Sequence, residues 1–192
     1  MSKEKPKGKA AVMAAIMATT AVLISRRGVN SITLRDIARK ANVSHGLIFR
    51  HFGSKEKLVK AVGLHMVNSM FEETKKRNKS LLDSLFGMDD RYSMNIRVIV
   101  RIILDDPKES VIVDAKPLIG KFLDWINEEQ KQFRISPAVD PIVLMFIFAC
   151  VAFGDELFGP YIGKIMDIPA DSYKRLRPQI LQTITSGLQM MP

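Results

Sequence analysis

The feature that most constrains the fold is the run TLRDIARKANVSHGLIFRHFGSKEKL, residues 33 to 58. It contains three helical patterns separated by turns of only about three residues. Thr33 suits the N-cap of the first helix, Asn42 tolerates the left-handed conformation at its end, and Ser44 suits the next N-cap. The apolar residues of the first pattern recur three and four positions apart: Leu34, Ile37, Ala38 and Ala41. Two helices joined this tightly cross steeply, which predicts a helix-turn-helix.

This pattern resembles the DNA-binding domain of the tetracycline-repressor (TetR) family of bacterial transcription regulators. The likeness spans roughly residues 12 to 62. The positions that carry it are Gly28, Thr33, Ile37, Ala38, Ala41, Val43, Ser44, Gly46, Phe49, His51, Phe52, Lys55, Glu56 and Leu58. There are two departures. Asn42 stands where the family usually has Gly, and Phe49 stands where it commonly has a Tyr whose hydroxyl meets a phosphate, so Phe49 can offer only packing.

The chain contains no alternating strand pattern and no internal repeat, so we predict an all-α protein. An N-terminal three-helix helix-turn-helix domain is expected over residues 1–53, with its first helix running from about residue 10 to Gly28. A C-terminal helical domain for ligand binding and dimerisation is expected over residues 54–192. Its helices are predicted over residues 54–78, 80–86, 91–105, 114–133, from Pro141 to Gly159-Pro160, and 171–190.

Charge is distributed unevenly along the chain. Residues 1–60 hold 13 Lys/Arg against 3 Asp/Glu, whereas residues 61–192 hold 16 against 17. A basic domain joined to a near-neutral one is expected when only the first meets a polyanion. The lysines at positions 3, 5, 7 and 9 can be a solvated tail or an arm that contacts DNA.

Individual roles follow from the residue types and from the resemblance. His45, Leu47 and Arg50 are candidates for base edges or nearby phosphates, because Arg suits guanine and Leu suits a thymine methyl. Gly46 allows close approach of the backbone to DNA. The resemblance implies that Thr33, His51 and Lys55 hold phosphates. Ser44 can also touch a phosphate, Arg35 is a further candidate for DNA binding, and Phe49 can contribute packing. Lys55 also lies in the first turn of a helix, which favours anions.

Nothing in the second part of the chain indicates catalysis. We find no phosphate loop, dinucleotide fingerprint or nucleophile elbow, and His65 has no partner at metal-ligand spacing. No cofactor and no metal site are therefore expected. The resemblance implies a cavity for a small, mostly apolar ligand, with candidate lining residues that could equally be core: Met66, Met70, Phe86, Trp125, Phe146 and Phe153.

The longest apolar stretch is IVLMFIFACVAF, residues 142–153, which is too short to span a bilayer. We expect a buried helix, covered by its own domain and by a second subunit. The resemblance places the dimer interface on the last two long helices, about residues 141–158 and 171–190. The single cysteine, Cys150, is expected in the interior, and the absence of disulfide partners fits a reducing cytoplasm. The basic, apolar N-terminus lacks a small-x-small cleavage site, which argues against export.

The sequence predicts a cytoplasmic, non-enzymatic DNA-binding regulator of transcription. The resemblance further implies a homodimeric repressor that binds a near-palindromic operator and is released by a small ligand. A non-specific or architectural DNA-binding protein without effector control is the alternative, although such a protein would not need a neutral helical domain of this size.

Overall fold

In the computed structural model, the described residues are 6–76, 90–105 and 115–169, with single positions at 172, 175, 176, 179 and 183. Over these residues the chain is helical and contains no strand, which confirms the all-α prediction. The helices are α1 (Lys9–Arg27), α2 (Leu34–Ala41), α3 (His45–Phe52), α4 (Lys55–Lys76), α5 (Asp90–Asp105), α6 (Lys116–Lys131) and α7 (Pro141–Ile165). The expected helix over 80–86 lies outside the described residues, as does most of 171–190.

The chain forms two compact units. The first comprises the residues up to Val67 together with Arg97–Ala115, and the second comprises Asn68–Ile96 together with the chain from Lys116 onwards. The first unit thus contains α1, α2 and α3, the start of α4 and the end of α5. The domain boundary expected at residue 53 remains a prediction. The division between the two compact units falls inside α4 and α5, so each of these helices contributes to both units.

The helix-turn-helix forms because each local signal agrees with the packing. The Thr33 hydroxyl accepts a hydrogen bond from the Asp36 N–H at 3.1 Å, and the Asp36 carboxylate accepts one from the Thr33 N–H at 3.1 Å. This reciprocal capping box satisfies N–H groups that the first turn would otherwise leave unpaired. Asn42 ends α2 with φ 55°, in the left-handed region, as expected. The apolar side chains of the three helices meet in one core that includes the fully buried Ile16, Ile24, Ile32, Ile37 and Ile48.

Ser44 differs from expectation. It occupies the N-cap position of α3 with extended backbone, but its side chain makes no capping hydrogen bond. The prediction that the Ser44 hydroxyl caps this helix is therefore wrong for the free protein. The hydroxyl is exposed, which leaves it available to another acceptor or donor.

Helix α7 begins as predicted and ends later. The Asp140 carboxylate accepts hydrogen bonds from the N–H groups of Ile142 (2.7 Å) and Val143 (3.3 Å), with Pro141 in the first turn. The expected end at Gly159-Pro160 is wrong, because the helix continues through Pro160 to Ile165. Pro160 is exposed and removes one backbone hydrogen bond from the helix.

A single chain covers only part of the surface of α7, and coverage of the rest by a second subunit stays a prediction. The buried residues of α7 form one narrow face: Leu144, Phe148, Ala152, Gly159 and Gly163. A second apolar face, here called the outer stripe, is exposed and comprises Ile142, Val143, Phe146, Cys150, Phe158, Tyr161, Ile162 and Ile165. Cys150 lies on this stripe and not in the interior, because positions 142, 146 and 150 share one side of the helix.

By length and composition alone, α1 and α7 are apolar enough to cross a membrane. This is weak evidence, because the core helix of a soluble protein passes the same test. In α1 the apolar side is used within the first unit, where Ile16 and Ile24 are fully buried.

Candidate nucleic-acid interface

The outward face of α3 is formed by residues four apart along the helix. His45, Gly46, Phe49 and Arg50 are exposed, whereas Ile48 and Phe52 are buried on the opposite face. Leu47 and His51 lie between these faces and are partly exposed. One helical face therefore presents an imidazole, a guanidinium and an aromatic ring to solvent, which is a set of groups suited to base edges and the sugar-phosphate backbone.

Gly46 is not required by the packing of the free protein. A Cβ at this position would meet no other heavy atom within 4 Å. Any demand for a glycine at Gly46 must therefore come from a partner that approaches the start of α3, as the sequence-based interpretation supposes.

Phe49 is a large apolar side chain with 63% of its surface exposed. The ring lies on the same exposed face of α3 as Arg50. The ring can contribute apolar contact to a partner surface, but it has no group that donates a hydrogen bond.

The N-terminus of α2 carries Thr33, for which a phosphate contact is predicted. The Thr33 hydroxyl donates to an Asp36 carboxylate oxygen at 2.7 Å. Arg39 also pairs with that carboxylate at 2.9 Å. Because the single hydroxyl proton of Thr33 is already used, a phosphate at this terminus would be met by backbone N–H groups and by the exposed Arg35.

The hydrogen bonds that Asp36 accepts also affect its ionisation. The Thr33 hydroxyl, and then the Thr33 N–H, hold the pKa of the Asp36 carboxyl below its usual value. Asp36 therefore stays charged at neutral pH and neutralises part of the charge of Arg39. Sequence reasoning missed the pairing of Thr33 with Asp36, although a threonine followed three residues later by an acidic residue is a recognisable capping signal.

The start of α4 carries the third candidate group. Lys55 is half-buried in the first turn, and the Ser54 hydroxyl accepts a hydrogen bond from the Lys57 N–H at 3.2 Å. A hydrogen bond from Ser54 lowers the pKa of the neighbouring Glu56, which keeps that carboxylate ionised. Lys55 and Lys57 both lie in this turn, and the phosphate-binding role of Lys55 stays a prediction.

The second unit contains a surface groove of about 590 Å³. The rings of Phe71 and Trp125 lie edge to face, with centroids 5.9 Å apart, and the Nζ atoms of Lys75 and Lys121 stand 5.9 and 5.8 Å from the centroid of the Phe71 ring. Glu129 is buried beside them and accepts a hydrogen bond from Trp125 Nε1 at 3.2 Å. The rest of the lining is charged: Glu72, Asp124, Glu128 and Arg134.

The residues expected to line a ligand cavity are not gathered in this groove. Trp125 alone of the six belongs to its lining. Met66 and Met70 are buried, Phe153 is partly exposed, and Phe146 is 70% exposed on the outer stripe. Phe86 lies outside the described residues. Sequence reasoning missed Phe71, Lys75, Lys121 and Glu129, because nothing local indicates that α4 and α6 approach each other there.

Among the residues that the structure describes, no group of three or more His, Cys, Asp or Glu side chains could hold a metal ion.

Comparison with known proteins gives a family match in the first part of the chain and a relative that covers most of it. Residues 16–62 match the family model described as bacterial regulatory proteins, tetR family. A curated relative, an HTH-type transcriptional repressor of Mycobacterium tuberculosis, is 32% identical over 97% of this chain and 94% of its own length.

Solved structures show the same fold. GusR of Salmonella enterica superposes with a TM-score of 0.70 at 16% identity, over 98% of this chain and 100% of that one. A Saccharomonospora viridis protein described as a transcriptional regulator, solved in complex with choline, gives a TM-score of 0.64 at 18% identity, over 93% of this chain and 97% of its own. Both likenesses cover the helix-turn-helix unit and the helices that follow it.

Proposed function

This chain belongs to the tetR family of bacterial regulatory proteins, and from that premise we propose that it is a homodimeric, cytoplasmic repressor that leaves a near-palindromic operator when a small ligand binds. Membership makes it a DNA-binding regulator of transcription and not an enzyme. The operator, the ligand and the individual contacts are the parts that we propose.

The exposed face of α3 is the observation that carries the proposed DNA contact. It presents His45, Gly46, Phe49 and Arg50 to solvent. These residues lie within residues 1–60 of the chain, which carry ten more basic than acidic side chains. We assign Arg50 and His45 to base edges or nearby phosphates. Phe49 packs against sugar or base surface, because an apolar ring gains by leaving water.

Phosphate contacts hold this face in register. Lys55 at the start of α4, His51 at the end of α3 and Arg35 at the start of α2 supply the cationic or donor groups. Ser44, with its free hydroxyl position at the start of α3, supplies a further hydrogen bond, and Leu47 supports the base contacts. Thr33 acts chiefly through its capping box, which fixes the N–H groups of α2.

The outer stripe of α7 supports the proposed homodimer. Seven large apolar side chains and Cys150 are exposed along a 25-residue helix, which leaves an apolar surface that a second copy can cover. We propose that α7 and the segment 171–190 of each subunit form the interface. Two copies then present two α3 helices to successive major grooves, about one helical turn of DNA apart.

A small molecule is the proposed effector. The groove of the second unit offers the rings of Phe71 and Trp125 with charges of both signs, so it suits a small organic ion better than the mostly apolar ligand that the sequence favours. The choline complex of the Saccharomonospora viridis protein shows such a molecule bound to a chain of this fold. A ligand that binds the DNA-incompetent state more tightly lowers operator occupancy by that difference in affinity.

Selection from a random oligonucleotide pool tests the proposal. We expect the purified dimer to enrich one sequence with two-fold symmetry and to bind it about 1,000-fold or more tightly than scrambled DNA of equal length. An architectural protein would bind both DNAs equally, and enrichment of an asymmetric site would contradict two-fold recognition.

A further inference from the structure

Asp105, the last residue of α5, meets the turn that joins α1 to α2, although the two are 76 residues apart in the sequence. Its carboxylate accepts a hydrogen bond from the backbone N–H of Val29. Its backbone carbonyl also accepts a hydrogen bond from the Asn30 side chain, at 3.4 Å. We call this set of contacts, made by Asp105 to residues 28–30, the Asp105 clasp. All of its members belong to the first compact unit.

The fit of the clasp is tight at Gly28. This residue has φ 77°, a conformation that side chains rarely adopt, and a Cβ built on it would lie 2.5 Å from Asp105 Oδ2. Gly28 is therefore required both by its backbone and by the carboxylate against it. On the inner side, Val29 and Ile32 are buried, so the turn is held between the core and Asp105.

The position of the turn determines that of the next helix. Residues 28–32 lead directly into Thr33, whose capping box with Asp36 starts α2. The exposed N-terminus of α2 is one of the proposed phosphate sites. A shift of the turn therefore displaces the N–H groups and Arg35 that would meet the phosphate.

We propose that Asp105 is a positioning residue for DNA binding: by holding the turn at Val29 it fixes the N-terminus of α2 where a phosphate can meet it. The inference rests on the proposed operator binding. Charge alone would predict the opposite effect, because a carboxylate in a strongly basic unit weakens attraction to DNA. If removal of the Asp105 carboxylate weakens DNA binding, the geometric role dominates. If removal strengthens DNA binding, the charge dominates.

Asp105→Ala and Asp105→Asn are the variants to compare, at 25 °C with both shown to be folded. Asp105→Ala removes the acceptor and is expected to weaken operator binding about tenfold, the scale of one hydrogen bond to a charged group. The slope of log Kd against log salt should become shallower by up to about one unit, because a displaced Arg35 no longer neutralises its phosphate. Asp105→Asn keeps an oxygen acceptor and loses the charge. Its operator affinity should therefore be no more than about twofold weaker than that of the wild type.

A double-mutant cycle with Gly28→Ala tests the contact itself. Gly28→Ala should weaken operator binding strongly in the wild type, where the new Cβ meets Asp105. In the Asp105→Ala background that clash is gone, and the same substitution should cost clearly less. Protection of the Val29 amide against hydrogen exchange should fall in Asp105→Ala and remain in Asp105→Asn.

Three results would overturn the proposal. Unchanged operator affinity in Asp105→Ala, with only a lower melting temperature, would show a purely stabilising contact. Tighter binding in Asp105→Ala would show that charge dominates. Additive effects in the cycle would show that Gly28 and Asp105 do not act together. If the wild type did not prefer its selected site to random DNA, the proposed function itself would be contradicted, and with it the inference about Asp105.

Discussion

Replacing Phe146 by Asp should separate the proposed dimer. Phe146 is 70% exposed on the outer stripe of α7, near the start of the helix. An aromatic side chain buries about 150–250 Å² when fully covered, so roughly 140 Å² of each ring is still available to a partner. At about 25 cal/mol per Å² this surface corresponds to roughly 3–4 kcal/mol for each copy.

The measured effect should be smaller than the sum over both copies, because area does not convert fully into affinity. We therefore expect Phe146→Asp to weaken dimerisation by at least about 3 kcal/mol, which is more than 100-fold in the dissociation constant. Burial of an unpaired carboxylate in the interface adds to this cost. Operator binding should weaken with it, because each monomer then holds only one half-site.

Sedimentation equilibrium over a range of protein concentrations measures the dissociation constant. Phe133→Asp is the matched control: Phe133 is 85% exposed but lies beyond α6 and off the outer stripe. Its φ of 55° is also one that Asp tolerates. Equal dimer strength in Phe146→Asp and the wild type, or equal weakening in both variants, would refute the assignment of the outer stripe to the interface.

Three further predictions concern the DNA-binding unit. Lys55→Ala should weaken binding to all DNA sequences alike and reduce the salt slope by about one unit. Arg50→Ala should cost about 1–3 kcal/mol at one base pair and relax the preference for that base pair. Titrations against single-base operator variants at several salt concentrations distinguish the two effects, and the opposite assignment of effects to the two variants would reverse the roles. Thr33→Ala should lower the free energy of unfolding by about 0.5–2 kcal/mol in urea denaturation, and no loss would show that the capping box contributes nothing. Because the pKa of Asp36 is lowered in the folded protein, its contribution is present above the ordinary carboxyl pKa of about 4 and is lost as the pH falls through the folded value. The difference in Tm between wild type and Thr33→Ala should therefore narrow as the pH falls below about 4, and a constant difference would contradict the ionised capping box.

The helix-turn-helix could be predicted from sequence because its signals are local. Thr33 and Asn42 set the two ends of α2 through their own side-chain and backbone preferences, and the buried positions follow a helical period. The charge difference between the two parts of the chain is likewise readable without a structure. These signals specify the ends and the buried faces of α2 and α3, whereas the contribution of Arg97–Ala115 to the first unit depends on packing.

The features that sequence reasoning missed depend on packing between distant segments. The Asp105 clasp joins positions 76 residues apart, and the groove at Phe71 forms where α4 meets α6. The end of α7 was predicted too early, because the helix includes Pro160 and continues to Ile165. The exposure of Phe146 and Cys150 could not be predicted either, because an apolar run does not say which of its faces its own chain covers.

The central claim is sequence-specific binding by a basic helix-turn-helix, and competition between the selected operator and random DNA tests it most directly. The operator dissociation constant should be measured from low to physiological salt, with and without excess random competitor. We predict that affinity falls steeply with salt for both DNAs while the operator keeps an advantage of about 1,000-fold or more at every salt concentration. Equal dissociation constants for the operator and random DNA, with random competitor displacing the protein from the operator at equal concentration, would contradict the account.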